Sequence, residues 1–501
     1  MISYRLEDDY EELRATVAGF ARDVVAPVIG GYYERGEFPY EIVARMAKLG
    51  LFGLPFPEEY GGMGGDIFAL CLALEELARV DSSVAITLEA AVALGAMPIY
   101  RFGTDEQRRR WLPDLCSGER LAAFGLTEPG GGSDIPGGMR TTARLDGGEW
   151  VIDGSKAFIT NAGTAITSLV TVLAITGGRA GARGGTGEKP EISAIIVPAG
   201  TPGMTVGREY SKVGWCASDT RELAFASCRV PAEHLLGERG RGYAQFLRVL
   251  DEGRVAIAAL ATGLAAGCVT ECLQHVAQRE AFGHRLGHYQ GIQFKLADME
   301  SRVHCARLAW YDAAARLVAG EPAKKHAAVA KLTASNAAMD NARDATQIFG
   351  GYGYMNEYPV ARFYRDAKVL EIGEGTSEVQ RMIIARDLGL ADVGLRSGAV
   401  RARAQMPRRG RGRPGMPRWK IMFFPRSWVA RRNHGEVGTI AGPHPAVTLP
   451  RFAYPAGQAS GGPGRTPVGT GRSTPAHKGQ DGYRQFGTRP GPREYPTTGG
   501  R

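Results

Sequence analysis

No Cys-x-x-Cys pair occurs among the seven cysteines, at positions 71, 116, 216, 228, 268, 272 and 305. Scattered and odd in number, they argue against a disulfide framework or a zinc ribbon and favour a reducing compartment. No uninterrupted run of about 18 apolar residues is present, so no membrane-spanning helix is expected. The start, MISYRLEDDYEELR, carries acids at once and has no apolar core, unlike a secretory signal or a transit peptide. These absences point to a soluble, cytoplasmic protein. A dinucleotide fingerprint is missing too: no G-x-G-x-x-G opens a helix within a strand–helix–strand unit.

Acidic residues are scarce in one region only. The 501 residues carry 61 Lys/Arg against 52 Asp/Glu, a net of +9. From residue 392 to 501 there are 20 Lys/Arg and 4 Asp/Glu, a net of +16, so residues 1–391 carry 41 and 48, a net of −7. Gly and Pro supply 34 of those last 110 residues, a composition that defaults to disorder. The basic character therefore belongs to a tail. Its arginine-rich start gives nucleic-acid contact by phosphate neutralisation as a lesser reading.

The body divides by periodicity. Residues 1–120 read as a helical domain: Leu13, Val17, Phe20 and Val24 form one apolar stripe, Ile42, Met46 and Leu49 another, and 67–80 and 85–102 are apolar helices. Residues 121–235 read as a β domain, with strands at 150–154, 168–175, 191–197 and 222–230. The Gly-rich stretch 177–189 is expected to be a mobile hairpin loop. Residues 236–391 return to helix. Long Ala-rich segments at 244–280, 290–319 and 323–349 point to a bundle, and a short helix follows at 377–387. The class expected is α+β and multidomain: an N-terminal helical domain, a central barrel-like β domain, a C-terminal four-helix bundle and a disordered basic tail at 392–501.

Four segments carry the chemistry. Thr127–Asp134, TEPGGGSD, is a Gly-rich turn after a strand, able to bring backbone N–H groups and the Thr127 and Ser133 hydroxyls close to a cofactor; read alone it is equally a surface turn. Lys156–Asn161, KAFITN, offers an aromatic and a hydroxyl suited to one face of a planar heterocycle, although a half-buried strand end is the commoner meaning. Arg279–Gly283, REAFG, and Gln347–Tyr354, QIFGGYGY, pair an arginine able to meet a pyrophosphate with a Gly-Gly step that permits close backbone approach. In Tyr364–Arg381, YRDAKVLEIGEGTSEVQR, Glu374 stands between Gly373 and Gly375. Glycines free it from regular structure, and in an apolar cavity its pKa rises toward that of a general base. Ser377 and Gln380 have capping-box spacing, so the last helix is expected to start there.

Together, in this order, these segments resemble the acyl-CoA dehydrogenase family over residues 1 to about 390. The resemblance implies FAD held between the domains and across a subunit interface, and α,β-dehydrogenation of an acyl-CoA to the trans-2-enoyl-CoA. It also implies a homotetramer that passes electrons to an electron-transferring flavoprotein. Carried over by position, Glu374 is the base that removes the α-proton, and its backbone N–H with a ribityl hydroxyl of FAD polarises the thioester carbonyl. The cofactor contacts implied are Leu126, Thr127, Ser133, Phe158, Ile159, Thr160, Thr376 and Glu378, with Arg279, Phe282, Gln290, Gln347, Gly350 and Gly351 reaching the FAD of a neighbouring subunit. Substrate contacts implied are Ser133, Asp251, Arg254 and Gly375. No metal is implied. Two departures stand out: Phe158 replaces the tryptophan of many relatives, and Gly373 replaces a tyrosine of several straight-chain enzymes, which widens the expected pocket. Some relatives carry the base on the helix that holds Asp251–Arg254, where this chain has Gly253, so Glu374 is the matched base. The same scaffold supports acyl-CoA oxidases and flavin-containing DNA-associated proteins as alternatives. Nitroalkane oxidases use Asp where Glu374 stands.

Overall fold

A computed structural model describes residues 6–178 and 190–390. The expected loop beyond Gly178 and the basic tail lie outside the described residues.

Helices α1 (Asp8–Phe20), α2 (Ala26–Arg35), α3 (Tyr40–Lys48), α4 (Ile67–Ala78), α5 (Ser82–Glu89), α6 (Met97–Phe102) and α7 (Asp105–Ser117) make up the N-terminal part. Their starts follow from side-chain caps. Asp66 accepts from the Ala69 N–H at 2.9 Å, Asp81 from Ser83 at 2.9 Å and Val84 at 3.2 Å, and Thr104 and Gln107 form a capping box. The first apolar stripe holds through Leu13, Val17 and Phe20 but then slips by one: Val25 is buried and Val24 only partly so. The cause is a wide helical turn at Ala21–Val25, which inserts a residue into the 3.6 period. A second wide turn, Ala90–Ala96, joins α5 to α6.

The middle part is one sheet of eight strands with a small helix, α8 (Ile135–Gly138). The strands are β1 (Leu121–Gly125), β2 (Thr142–Asp146), β3 (Glu149–Thr160), β4 (Thr167–Gly177), β5 (Glu191–Pro198), β6 (Met204–Glu209), β7 (Thr220–Pro231) and β8 (Leu235–Leu236). The path runs β6-β7-β3-β2-β4-β5-β8, with β1 parallel to β4. The antiparallel β4–β5 pairing closes with Gly177 opposite Glu191, as expected of a hairpin around the Gly-rich stretch. Sequence reading missed β2 and β6, which are short and largely exposed and so lack an apolar run.

A small hairpin, β9 (Glu280–Ala281) with β10 (His284–Arg285), follows helix α9 (Gly242–Gln278). Then come α10 (Gln290–Val318), α11 (Lys324–Phe349), α12 (Pro359–Leu370) and α13 (Ser377–Asp387). Helix α9 packs against α4, α10 and α11. Its approach to α4 requires glycine: a Cβ on Gly263 would stand 2.1 Å from the Glu75 carbonyl oxygen, and one on Gly267 2.2 Å from that of Arg79. The 82–102 and 242–278 segments are long and apolar enough to cross a membrane, against the expectation of none, but 94% and 89% of their apolar windows lie inside the fold. They are core helices. Among the described residues the chain is a mixed α+β structure.

One buried carboxylate joins the three parts. Asp366 on α12 accepts from the Tyr33 hydroxyl at 2.5 Å, the Ser82 hydroxyl at 2.7 Å and the Trp215 backbone N–H at 2.7 Å. Those donors lie on α2, on α5 and in the β6–β7 loop, so all three parts meet at this oxygen pair.

Candidate active site

Glu374 sits in the turn between α12 and α13, in the left-handed region at φ +50°, and Gly375 follows at φ +91°. That conformation costs a non-glycine residue about 1–3 kcal/mol and persists only where surroundings hold it. Three hydrogen bonds do so. The Gln380 side-chain amide donates to the Gly375 carbonyl at 2.7 Å and to that of Glu374 at 3.4 Å, and the Lys331 ammonium donates to the Gly375 carbonyl at 2.9 Å. Helix α13 begins at Ser377 as expected, but its cap is Thr376, whose hydroxyl accepts from the Val379 N–H at 3.3 Å. The expected Ser377–Gln380 box does not form because Gln380 is spent on the base-bearing turn.

The Glu374 side chain points inward. Both its carboxyl oxygens are buried, and among the described residues no N–H donates to them; their hydrogen-bonding neighbour is the Glu89 carboxyl. Burial raises its pKa; the Glu89 carboxyl and the Arg254 and Lys331 cations oppose that rise. A Cβ on Gly253 would meet the Glu374 Oε2 at 2.3 Å and the Leu94 side chain at 3.4 Å. A side chain at position 253 would therefore displace the Glu374 carboxylate from its place. Across from Glu374 stands Glu89, the last residue of α5 before the wide turn, its two oxygens equally buried and, among the described residues, bonded only toward Glu374. Burial and the Glu374 charge push the Glu89 pKa well up, so of the two Glu89 keeps its proton. Arg254, 4% exposed, lies beside the base and pairs with Asp251 one helical turn earlier.

The β domain supplies a second group. Strand β1 runs into Leu126 and Thr127, and Ala157 donates its N–H to the Thr127 carbonyl at 2.9 Å. Beneath them lies a buried ion pair: the Lys156 ammonium meets Glu128 at 2.7 Å and the Leu126 carbonyl at 3.4 Å. Glu128 also accepts from the Arg140 and Thr141 N–H groups at 2.6 and 3.1 Å. Burial pulls Lys156 down to about 8, with Glu128 opposing. Phe158 stands at φ +61° with 64% of its surface exposed, its ring 5.3 Å from that of Tyr210. A strained, exposed aromatic beside a hydrogen-bonded Gly-rich loop suits a planar cofactor. Thr160 is half-buried, Ser133 is exposed on the loop, and Ile159 faces the β-domain core.

A third group lies at the far end of α9. Arg279, with Gly350 and Gly351, lines a groove of about 480 Å³, its guanidinium 5.7 Å from the Tyr352 ring. Gln347 and Gly350 line an adjoining groove. Phe282, at φ +51°, is 95% exposed, and Gln290 is exposed at the start of α10. An exposed cation, an exposed aromatic and two glycines together fit an anionic ligand. Arg279→Ala is expected to weaken FAD retention; the flavin-to-protein ratio after gel filtration checks this, and an unchanged ratio counts against the role. Thr376 is committed to its cap and Glu378 is exposed in the first turn of α13.

Glu89 and Lys331 escaped the sequence reading. Glu89 is the one charge in the apolar run 82–100, and that interruption is its available signal; Lys331 sits among other charged residues of α11 and carries no such signal.

The chain matches the acyl-CoA dehydrogenase N-terminal domain over residues 7–119, the middle domain over 123–228 and the C-terminal domain over 240–389. It is 46% identical to the probable acyl-CoA dehydrogenase YngJ of Bacillus subtilis over 387 residues, covering 77% of this chain and all of that one. Among solved structures, butyryl-CoA dehydrogenase from Megasphaera elsdenii is 40% identical with a TM-score of 0.73, over 77% of this chain and all of that one. A chain from a structure titled for the electron transferring flavoprotein of Acidaminococcus fermentans gives the same identity and TM-score, over 77% and 99%. An inward carboxylate on a strained turn, an aromatic poised for a planar ring and three consecutive domain matches agree: the chain belongs to the acyl-CoA dehydrogenase family.

Proposed function

We propose that Glu374 removes the α-proton of an acyl-CoA as the chain carries out FAD-dependent α,β-dehydrogenation. The observation that carries this reading is the buried, inward Glu374 carboxylate, which among the described residues has no N–H donor and faces only the Glu89 carboxyl. An acyl Cα–H is a far weaker acid than a carboxylic acid, so base strength alone does not suffice. Burial raises the basicity of Glu374, and the strained turn fixes where its oxygens lie before substrate arrives. The Glu374 backbone N–H is the protein donor for the thioester oxygen, where charge develops. FAD, when bound, accepts the β-hydride, so that no full carbanion need accumulate. Thr127, Phe158 and Thr160 would hold its ring system, and Arg279 with Gly350 and Gly351 the FAD of a neighbouring copy.

A solved relative named for butyryl-CoA and relatives named short-chain specific support a short acyl chain, and Leu94 and Glu89 beside the base are consistent with a shallow pocket. The exposed Arg279 groove supports a homotetramer, and the flavoprotein neighbour supports an electron-transferring flavoprotein as acceptor. Free cysteines throughout agree with a cytoplasmic enzyme. We further read the eight-stranded sheet as barrel-like and the mutually packed α9, α10 and α11 as members of a four-helix bundle.

The test is anaerobic titration of the purified yellow protein with straight-chain acyl-CoAs of increasing length. Stoichiometric bleaching of the flavin is expected, strongest with the shortest chains, and re-oxidation should be faster with electron-transferring flavoprotein than with dioxygen. No bleaching by any acyl-CoA defeats the proposal.

A further inference from the structure

Lys331 lies on α11, fully buried, on the inner side of the turn that carries the base. Its ammonium makes one hydrogen bond recorded among the described residues, to the Gly375 carbonyl at 2.9 Å, and no carboxylate lies within ion-pair distance of it. A buried ammonium without a paired carboxylate is costly and is retained where something else needs the charge. Gly375 is the residue after Glu374, and its carbonyl is also the target of Gln380.

We propose that Lys331 is a positioning residue for the base: donated to the Gly375 carbonyl, its ammonium clamps the strained Glu374 turn and places a positive charge beside the Glu374 carboxylate. This rests on Glu374 as the base, but concerns a residue on another helix that need not touch substrate.

The charged groups around the carboxylate can be named element by element. Helix α5 contributes Glu89, α9 contributes Arg254 with its partner Asp251, α11 contributes Lys331, and Glu371 and Glu378 flank the turn itself. Arg254 shares its charge with Asp251 at hydrogen-bonding distance, whereas Lys331 has no such competitor. Burial pulls Lys331 down to about 8, and Glu374 is the strongest influence holding it up. The coupling is mutual: the lysine lowers the Glu374 pKa, so its loss raises it. A base works ionised, so the acid limb of activity must then move to higher pH.

The test separates charge from clamp. Lys331→Met removes both; Lys331→Gln keeps a donor for the Gly375 carbonyl and removes the charge. Infrared pH titration of the oxidised, substrate-free protein reads the Glu374 acid C=O band, identified by its loss in Glu374→Gln. Both lysine variants are expected to move its midpoint upward by about one pH unit or more. In parallel, flavin reduction at saturating butyryl-CoA should show the same displaced limb. On the alkaline plateau the Met variant alone should be about 10-fold slower, with half-saturation little changed. FAD content and melting temperature are recorded for each variant, and if the Met protein does not fold, the Gln protein carries the infrared measurement. An unmoved midpoint in a folded variant overturns the assignment. The infrared readout needs no turnover, so failure of wild type to bleach with acyl-CoA strikes the proposed reaction and leaves the lysine result standing by itself.

Discussion

Glu374→Gln is expected to retain FAD and the fold, and to slow flavin reduction by acyl-CoA by about 10²-fold or more. Gln matches Glu in shape, so the left-handed turn and its bonds from Gln380 and Lys331 persist, and only the proton acceptor disappears. The loss should not be made good from elsewhere. Glu89, the carboxyl that faces it, keeps its proton, and Gly253 offers no side chain. Stopped-flow reduction under anaerobic conditions checks this; near-normal rates in the Gln protein would remove Glu374 from the mechanism.

Lys156→Met is expected to cost about 3–5 kcal/mol of stability, because it leaves Glu128 buried and uncompensated. The lysine side chain is fully buried and its partner 5% exposed, so water cannot take over. The damage should reach the cofactor loop: Glu128 holds the Arg140 and Thr141 N–H groups, and Lys156 reaches the Leu126 carbonyl. A lowered melting temperature with faster FAD loss is the expected result. The double variant Glu128→Gln/Lys156→Met, which buries no lone charge, should recover much of the stability without restoring FAD retention fully. If the single variant melts like wild type, the pair is not what holds this loop.

Much of the architecture was legible because burial imposes long periods. The helices expected at 244–280, 290–319 and 323–349 appear at Gly242–Gln278, Gln290–Val318 and Lys324–Phe349, since Ala-rich runs of that length have few alternatives. Helix α12 is short, and its apolar face of Val360, Phe363, Ala367 and Leu370 is interrupted by the charged residues of the YRDAK motif, which masks the helical period. The wide turns at 21–25 and 90–96 were invisible: a single inserted residue leaves composition unchanged and alters only which neighbours face inward. At the site, glycines on both sides announced Glu374, while Glu89 and Lys331 needed tertiary packing to bring α5 and α11 against one turn. Gln380 was read as a helix signal, yet its amide serves two carbonyls instead of the cap. Local grammar gave the right boundary for the wrong reason there.

The meeting of Tyr33, Ser82 and Trp215 at Asp366 has a consequence for how the enzyme opens. A hinge between these segments would break several short bonds to a dry anion in one movement, so wholesale separation of the lobes is a poor route for ligand entry. Traffic to Glu374 should instead pass by side-chain swings at the rim, and heating should melt the lobes in a single step, with no stage at which the sheet survives alone.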